Sequence, residues 1–215
     1  EYHFVPRYLQ HANEKPWPAL TQLNGLLVFD KSSLSVLNAT ARFSMAPDIV
    51  VRDLSAHIPD LGKNIAVGIS ASMQGPLEQA LALTNQSPLA VITGDSLQHA
   101  TANGTVDIQL ALGLPIMHME KAIVKGAVTL QNNDVRITPD SPLLAQSQGK
   151  VLFNEKGFSL QDASTTLLGG KATLVGGSVT VGQAGSSRGG RHQVKIDAQG
   201  VFTAEGLRQE PSVGT

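Results

Sequence analysis

Between Gly104 and Leu114 the chain places Val106, Ile108, Leu110, Leu112 and Leu114 on every second position, with Thr105, Asp107, Gln109, Ala111 and Gly113 between them. A period of two puts all the branched apolar side chains on one face of a strand. Fully extended, the run would reach about 36 Å, well beyond the usual strand of about 5–6 residues. Pro115 closes it, because proline has no N–H to give to a ladder. Any fold of this chain must give that long apolar face something to touch, either another layer of protein or a ligand.

The same habit recurs along most of the sequence. Leu26 to Phe29 and Leu34 to Ala41 flank a polar connection and predict a hairpin. Ile49 to His57 and Ile65 to Met73 predict two more strands. Residues 76–84 break the pattern with Pro76 followed by good helix formers, which predicts a short helix, and residues 88–100 suit a second short helix or a loop. Ala122 to Leu130 predicts a strand, Gln131 to Asp134 a turn, and Val135 to Thr138 a returning strand. Gly149 to Phe153 with Phe158 to Thr166 predicts another hairpin, followed by strands over Lys171 to Thr180 and Gln193 to Thr203. Residues 1–24 carry scattered prolines and are expected to be an irregular lead-in. Gly182 to Gly190 is expected to be a flexible loop and residues 211–215 a loose tail. Residues 25–210 then make one β unit.

The chain also repeats itself. Gly25-x-x-x-Phe29 followed by Leu34-x-Val36-x-x-Ala39 has the spacing of Gly149-x-x-x-Phe153 followed by Phe158-x-Leu160-x-x-Ala163. Residues 127–137 give a weaker third copy. Repeated hairpins without crossover helices imply an all-β antiparallel sheet that grows by stacking.

Composition narrows the function. Net charge is −1 and charged residues are 15% of 215, against about 25% in an average domain. That excludes a basic field for nucleic acid. The absence of cysteine excludes disulfides and thiolate chemistry. No apolar run approaches the ~20 residues of a membrane span. The abrupt start at Glu1 is expected of a piece cut from a longer polypeptide.

The usual chemical constellations are missing from the sequence. The histidines (His3, His11, His57, His99, His118 and His192) are scattered without metal-ligand spacing. Gly68-Ile-Ser70-Ala-Ser72 lacks the last glycine of a nucleophile elbow and alternates like a plain strand. Gly169-Gly170 and Gly176-Gly177 open no helix and precede no Gly-Lys-Ser/Thr, so they are not a phosphate loop. No catalytic residue, metal ligand or cofactor is expected, and the chain is not expected to be an enzyme.

Taken alone, the alternation favours a closed β-sandwich, a scaffolding or protein-interaction module with no ligand, over an open trough. A carbohydrate-binding sandwich is disfavoured, because Trp17, Tyr2 and Tyr8 are the few candidates for a stacking platform. Several stretches taken in order carry further information. They are Trp17-Pro-Ala-Leu-x-x-Leu-x-Gly25-x-Leu-Val-Phe29, Ala56-His-Ile-Pro59-Asp60-Leu61, Gly75-Pro-Leu77 with Ser87-Pro88-Leu89, Leu112-x-Leu-Pro115-Ile116, Val124-x-Gly126-x-Val128-x-Leu130-x-x-Asn133, Gly149-x-Val-x-Phe153-x-Glu155-x-Gly157, Leu168-Gly169-Gly170 and Ala204-Glu-Gly206-Leu207. In this order they resemble the middle of a large member of the AsmA-like family of Gram-negative bacteria.

The resemblance implies an elongated, strongly curved antiparallel sheet forming an apolar groove. It implies a periplasmic segment of a protein anchored in the inner membrane. That protein would carry phospholipids towards the outer membrane and support its permeability barrier. The partners implied are phospholipid acyl chains, and the two membranes through parts of the protein outside these residues. No catalytic residues transfer. Acyl tails are about half as long as the ~30 Å hydrocarbon core of a bilayer, and strands of about 8 residues, about 26 Å, can curl around them. The expected lining is Ile65, Val67, Ile69, Val106, Ile108, Leu110, Leu112, Val128, Leu130, Val135, Ile137, Val151, Phe153, Phe158 and Leu160.

Overall fold

Alternation sorts the strands into one sheet with a polar and an apolar face. The computed structural model describes residues 15–62, 65–118, 121–181 and 191–209. Along the chain it has β1 (Leu20–Asp30), β2 (Ser33–Phe43), β3 (Val50–Ile58), β4 (Ala66–Pro76), α1 (Leu77–Asn85) and α2 (Ala90–Thr93). A 3₁₀ turn (Gly94–Leu97) and the short β5 (Thr101–Asn103) lead into β6 (Thr105–Pro115) and β7 (Ile123–Arg136). Then come β8 (Leu144–Asn154), β9 (Gly157–Leu167), β10 (Gly170–Val181), β11 (Arg191–Gly200) and α3 (Ala204–Gln209). The sheet order is β1-β2-β3-β4-β6-β7-β8-β9-β10-β11, with β5 pairing β7 beyond the end of β6. The sheet is antiparallel and open: β1 and β11 lie at opposite ends of the order. Two sheets clasped face to face, the sandwich alternative, do not occur among the described residues.

Register shows how continuous the apolar face is. Ala41, Val51, Met73, Ile108, Val128, Val151 and Leu160 are successive cross-strand partners, forming one row from β2 to β9. The opposite face at the neighbouring level carries Gln74, Asp107, Thr129, Lys150 and Gln161. There Asp107 accepts hydrogen bonds from the amides of Gln74 and Gln131, at 2.9 and 2.8 Å, so polar side chains on that face tie three strands together.

The strands are bent by bulges. Register shifts interrupt the β1–β2, β2–β3, β7–β8, β8–β9 and β9–β10 ladders. Beside them Gln22, Asn38, Asn132, Gln146 and Asp162 take left-handed φ values between 49° and 61°. An extra residue on one strand bends it and raises its twist, which curves the sheet.

The expected turn at Gln131–Asp134 is a correction. Those residues lie inside β7, which runs without reversal to Arg136. The third hairpin copy therefore does not exist. The cause is Asn133, which is fully buried. Its Oδ1 accepts from Gln131 N at 2.7 Å, and its Nδ2 donates to the carbonyls of Asn103 and Thr105 at 3.0 and 3.2 Å. The side chain supplies bonds that the bulge takes from the ladder, and the chain passes straight on.

Other boundaries shift modestly. β1 begins at Leu20, inside the expected lead-in, because Leu20 already pairs with Phe43. α1 starts at Leu77 because Pro76 stays extended (φ −62°, ψ 133°) and still pairs with Thr105. β11 ends at Gly200, and α3, not anticipated, follows with Thr203 Oγ1 accepting from Gly206 N at 3.0 Å. The expected lead-in before residue 15, the Gly182–Gly190 loop and the 211–215 tail lie outside the described residues.

The segment 77–100 leaves the sheet and returns next to its exit, with Leu77 N donating to Gly104 O at 2.9 Å. It packs on the apolar face. Beneath α1, Val51, Met73, Val106 and Ile108 form a closed core with Leu77. Nearer the other ends of the strands, Leu112, Leu114 and Val124 pack with Trp17 and Leu89.

Candidate functional site

Past the closed core, the apolar face of β7 to β11 does not fill. Between it and the helical segment lies a cavity of about 190 Å³, partly open to solvent. Four strand spacings of about 4.8 Å carry the lined face across about 19 Å.

One wall is the helix. Leu77, Ala80, Leu81 and Thr84 follow the i, i+3, i+4, i+7 stripe that keeps one face of a helix together. Leu89 and Leu97 extend this wall. The helix is held from outside by Gln79, whose Oε1 accepts from Asp48 N at 3.1 Å and whose Nε2 donates to Asp48 Oδ2 at 2.6 Å. Asn85 Nδ2 donates to Leu97 O at 2.9 Å and ties the two helical pieces together.

The facing wall is the sheet. Val128, Leu130, Val135, Ile137, Val151, Phe153, Phe158 and Leu160, all expected as lining, border the cavity. Phe153 and Phe158 are cross-strand partners. The ring of Phe153 lies over Gly126, where any Cβ would collide with Phe153 Cζ. Glycine at that point lets the ring lie flat across β7.

The other expected residues share the face but not the cavity. Val106 and Ile108 are sealed in the core under α1, with Ile69 and Leu110 packed at its margin. Val67 and Leu112 belong to the cluster around Trp17. Ile65 precedes β4 and accepts from Ile116 N through its carbonyl at 2.9 Å.

Further residues line the cavity beyond those expected. The α1 stripe carries its signal as helical spacing. Val194 and Ile196 on β11 and Leu174 on β10 border the far side, and the Val194-x-Ile196 alternation was their signal.

The cavity offers little polar chemistry. Its lining contains no charged side chain among the described residues. Thr84 and Thr93 donate to the carbonyls of Ala80 and Ala90. Ser147 lies 3.0 Å from Thr165 Oγ1 and from Leu144 O, and Thr165 donates to Ala145 O at 2.9 Å. On the opposite face Ser35 Oγ and His57 Nδ1 are 2.9 Å apart. Both are solvent-accessible, and no carboxylate is found on the imidazole among the described residues to orient it as a base. No group of three or more His, Asp or Glu gathers as a metal site among the described residues.

Residues 9–213 match the family model described as YhdP protein. The chain belongs to the YhdP family. It is 31% identical over 147 residues to the intermembrane phospholipid transporter YhdP of Escherichia coli (strain K12), an alignment covering 68% of this chain. The chain spans 11% of the length of that YhdP relative. No solved structure matches. For the YhdP family, then, this chain gives an open, one-sided sheet roofed in part by a helical segment, with no helix among the described residues long and apolar enough to cross a membrane.

Proposed function

We propose that this chain is a segment of a lipid-transfer bridge that shields phospholipid acyl chains in its apolar β-groove between the inner and outer membranes. The observation that carries the reading is the partly open cavity bounded by apolar side chains of β7 to β11 and of the helical segment, with no charged lining residue among the described residues. Leaving such a face unpacked is costly to a protein that uses no ligand, because each buried methylene is worth about 0.8 kcal/mol. An acyl tail recovers that stabilisation. The YhdP relative, named an intermembrane phospholipid transporter, supports phospholipid as the cargo and the periplasm as the place. Anchoring in the inner membrane and contact with the outer membrane belong, on this reading, to parts of the protein outside these residues.

The test is chemical. Protein purified without detergent is extracted with organic solvent and the extract analysed by mass spectrometry. Phospholipid in near-stoichiometric amount is expected. An extract no richer in lipid than that of an unrelated β protein prepared in parallel overturns the reading and leaves a β module without ligand.

A further inference from the structure

The apolar face of the sheet is unevenly covered. Leu27, Val36, Ala56, Ile69, Leu112 and Val124 are successive cross-strand partners, forming one row from β1 to β7. At the β1 end the row is open: Leu27 is 54% exposed, and Phe29, next on the same face, 67%. At the other end Leu112 and Val124 are only 8% and 7% exposed. Trp17 and Leu89 pack on them there. Phe153 joins the same cluster, and both it and Leu89 border the cavity over β7–β11. One apolar face is therefore open over β1 and β2, shut at β6 and β7, and open again in the cavity.

Trp17 comes from residues 15–19, a strap ahead of β1 that belongs neither to the sheet nor to the helical segment. Pro16 and Pro18 flank the indole. Proline has no N–H and fixes φ, and a residue before proline stays extended, so the strap is stiff and cannot join a ladder. It is pinned at its two ends. Lys15 Nζ donates to Asn85 O at 2.6 Å, and Ser44 N donates to Ala19 O at 3.0 Å. Between the pins, no hydrogen bond to Trp17 is found among the described residues, and the indole is held by apolar packing. Such contact is non-directional, so an alkyl chain lying on Leu112, Leu114 and Val124 can replace it without leaving a polar group unpaired. Displacing a strand breaks ladder bonds; displacing this indole breaks none.

We propose that the strap of residues 15–19 is a gate in the groove. With Trp17 down, the cavity and the open face of β1 and β2 are separate. An acyl chain that takes the indole's place on Leu112, Leu114 and Val124 lifts the strap and makes the two continuous. This inference rests on the function proposed above and adds a moving part to it. The closed strap and the lipid compete for the same apolar ground, so each weakens the other's hold.

Trp17 is the single tryptophan of the chain, so its fluorescence reads the strap directly. The intact chain is stripped of lipid and then loaded with phosphatidylglycerol from phosphatidylcholine vesicles, and acrylamide quenching is measured before and after. Quenching is expected to rise severalfold on loading. Partition of a pyrene-tailed phosphatidylglycerol between the chain and the same vesicles gives the affinity. Trp17→Ala is expected to tighten binding about tenfold, because no indole has to be moved. Trp17→Phe keeps a ring and is expected to stay within about threefold of the parent. Lys15→Met unpins the strap at an exposed position. It is expected to tighten binding about threefold and supplies the test should Trp17→Ala not fold. An indole that only fills the core gives the opposite sign, weaker binding in Trp17→Ala. Quenching unchanged on loading, or binding unchanged or weakened in the folded variants, overturns the gate and leaves the lipid-carrying function standing. Failure of every form of the chain to bind the pyrene lipid overturns the function as well.

Discussion

Asn38 and Asp162 hold the same left-handed backbone, φ 50° and 49°, at the same place in two separate hairpins. Gln22 and Gln146 match in the same way, at 52° and 50°. Gly25 faces the buried Ala39 as Gly149 faces the buried Ala163. The repeat seen in the sequence is therefore one bulged hairpin built twice, as β1–β2 and β8–β9. Asn and Asp tolerate left-handed φ better than most residues, and glycine leaves room where the bulge brings backbones together.

The two glycines are not equally constrained, and that gives a prediction. A Cβ on Gly25 would sit 2.5 Å from Ala39 Cβ. A Cβ on Gly149 would sit 2.6 Å from Asp162 O, and Gly149 is also at φ +119°. Gly149→Ala adds backbone strain to the clash and is expected to cost about 2–4 kcal/mol, more than Gly25→Ala. Urea midpoints compare them; equal losses would show that strain at residue 149 plays no part.

Asn133 is expected to be the most sensitive polar residue. Its side chain makes three hydrogen bonds while fully buried. Asn133→Ala removes all three and strands a backbone N–H and two carbonyls, for a loss of about 3 kcal/mol. Hydrogen exchange should rise first in β5, which reaches the sheet through β7. Exchange rising evenly over the sheet would argue against a local role for Asn133.

These examples show where reading a sequence succeeds. Period-two alternation reveals which side chains share a face, and so the sheet, its hairpins and its apolar side were legible. Alternation is silent about what covers the face. Val106 and Ile108 carry the same signal as Val128 and Val151, yet α1 seals the first pair and leaves the second beside open space. Gln131–Asp134 misled for a related reason. Asn-Asn-Asp is turn chemistry when the side chains bond locally, whereas Asn133 reaches across to Asn103 and Thr105.

Core and cavity residues on the same face should separate in a pair of variants. Val106 is 1% exposed, so Val106→Ala is expected to cost about 2–3 kcal/mol with lipid retention kept. Leu160 is half-buried on the cavity wall. Leu160→Lys can lift its ammonium to the opening and is expected to cost under about 1 kcal/mol while bound lipid is lost. Thermal midpoints and lipid extraction read both quantities on the same preparations. Loss of lipid from Val106→Ala and not from Leu160→Lys would place the ligand elsewhere.

The helical segment can be removed without cutting the ladder. Pro76 and Thr105 are direct partners, so an Asn-Gly turn in place of residues 77–104 would join β4 to β6 as a tight hairpin. The β4–β6 ladder and the rest of the sheet are kept, β7 losing the short β5 beyond the end of β6, and strand circular dichroism should persist. Met73, Val106 and Ile108 would lose the cover that Leu77 gives them, for a loss on the order of 5 kcal/mol and a rise in binding of a hydrophobic dye. The cavity would lose the wall formed by Ala80, Leu81 and Thr84, and bound lipid should be lost. A folded deletion variant that still retains lipid would show that the sheet alone holds the tail and that the helices only protect the core.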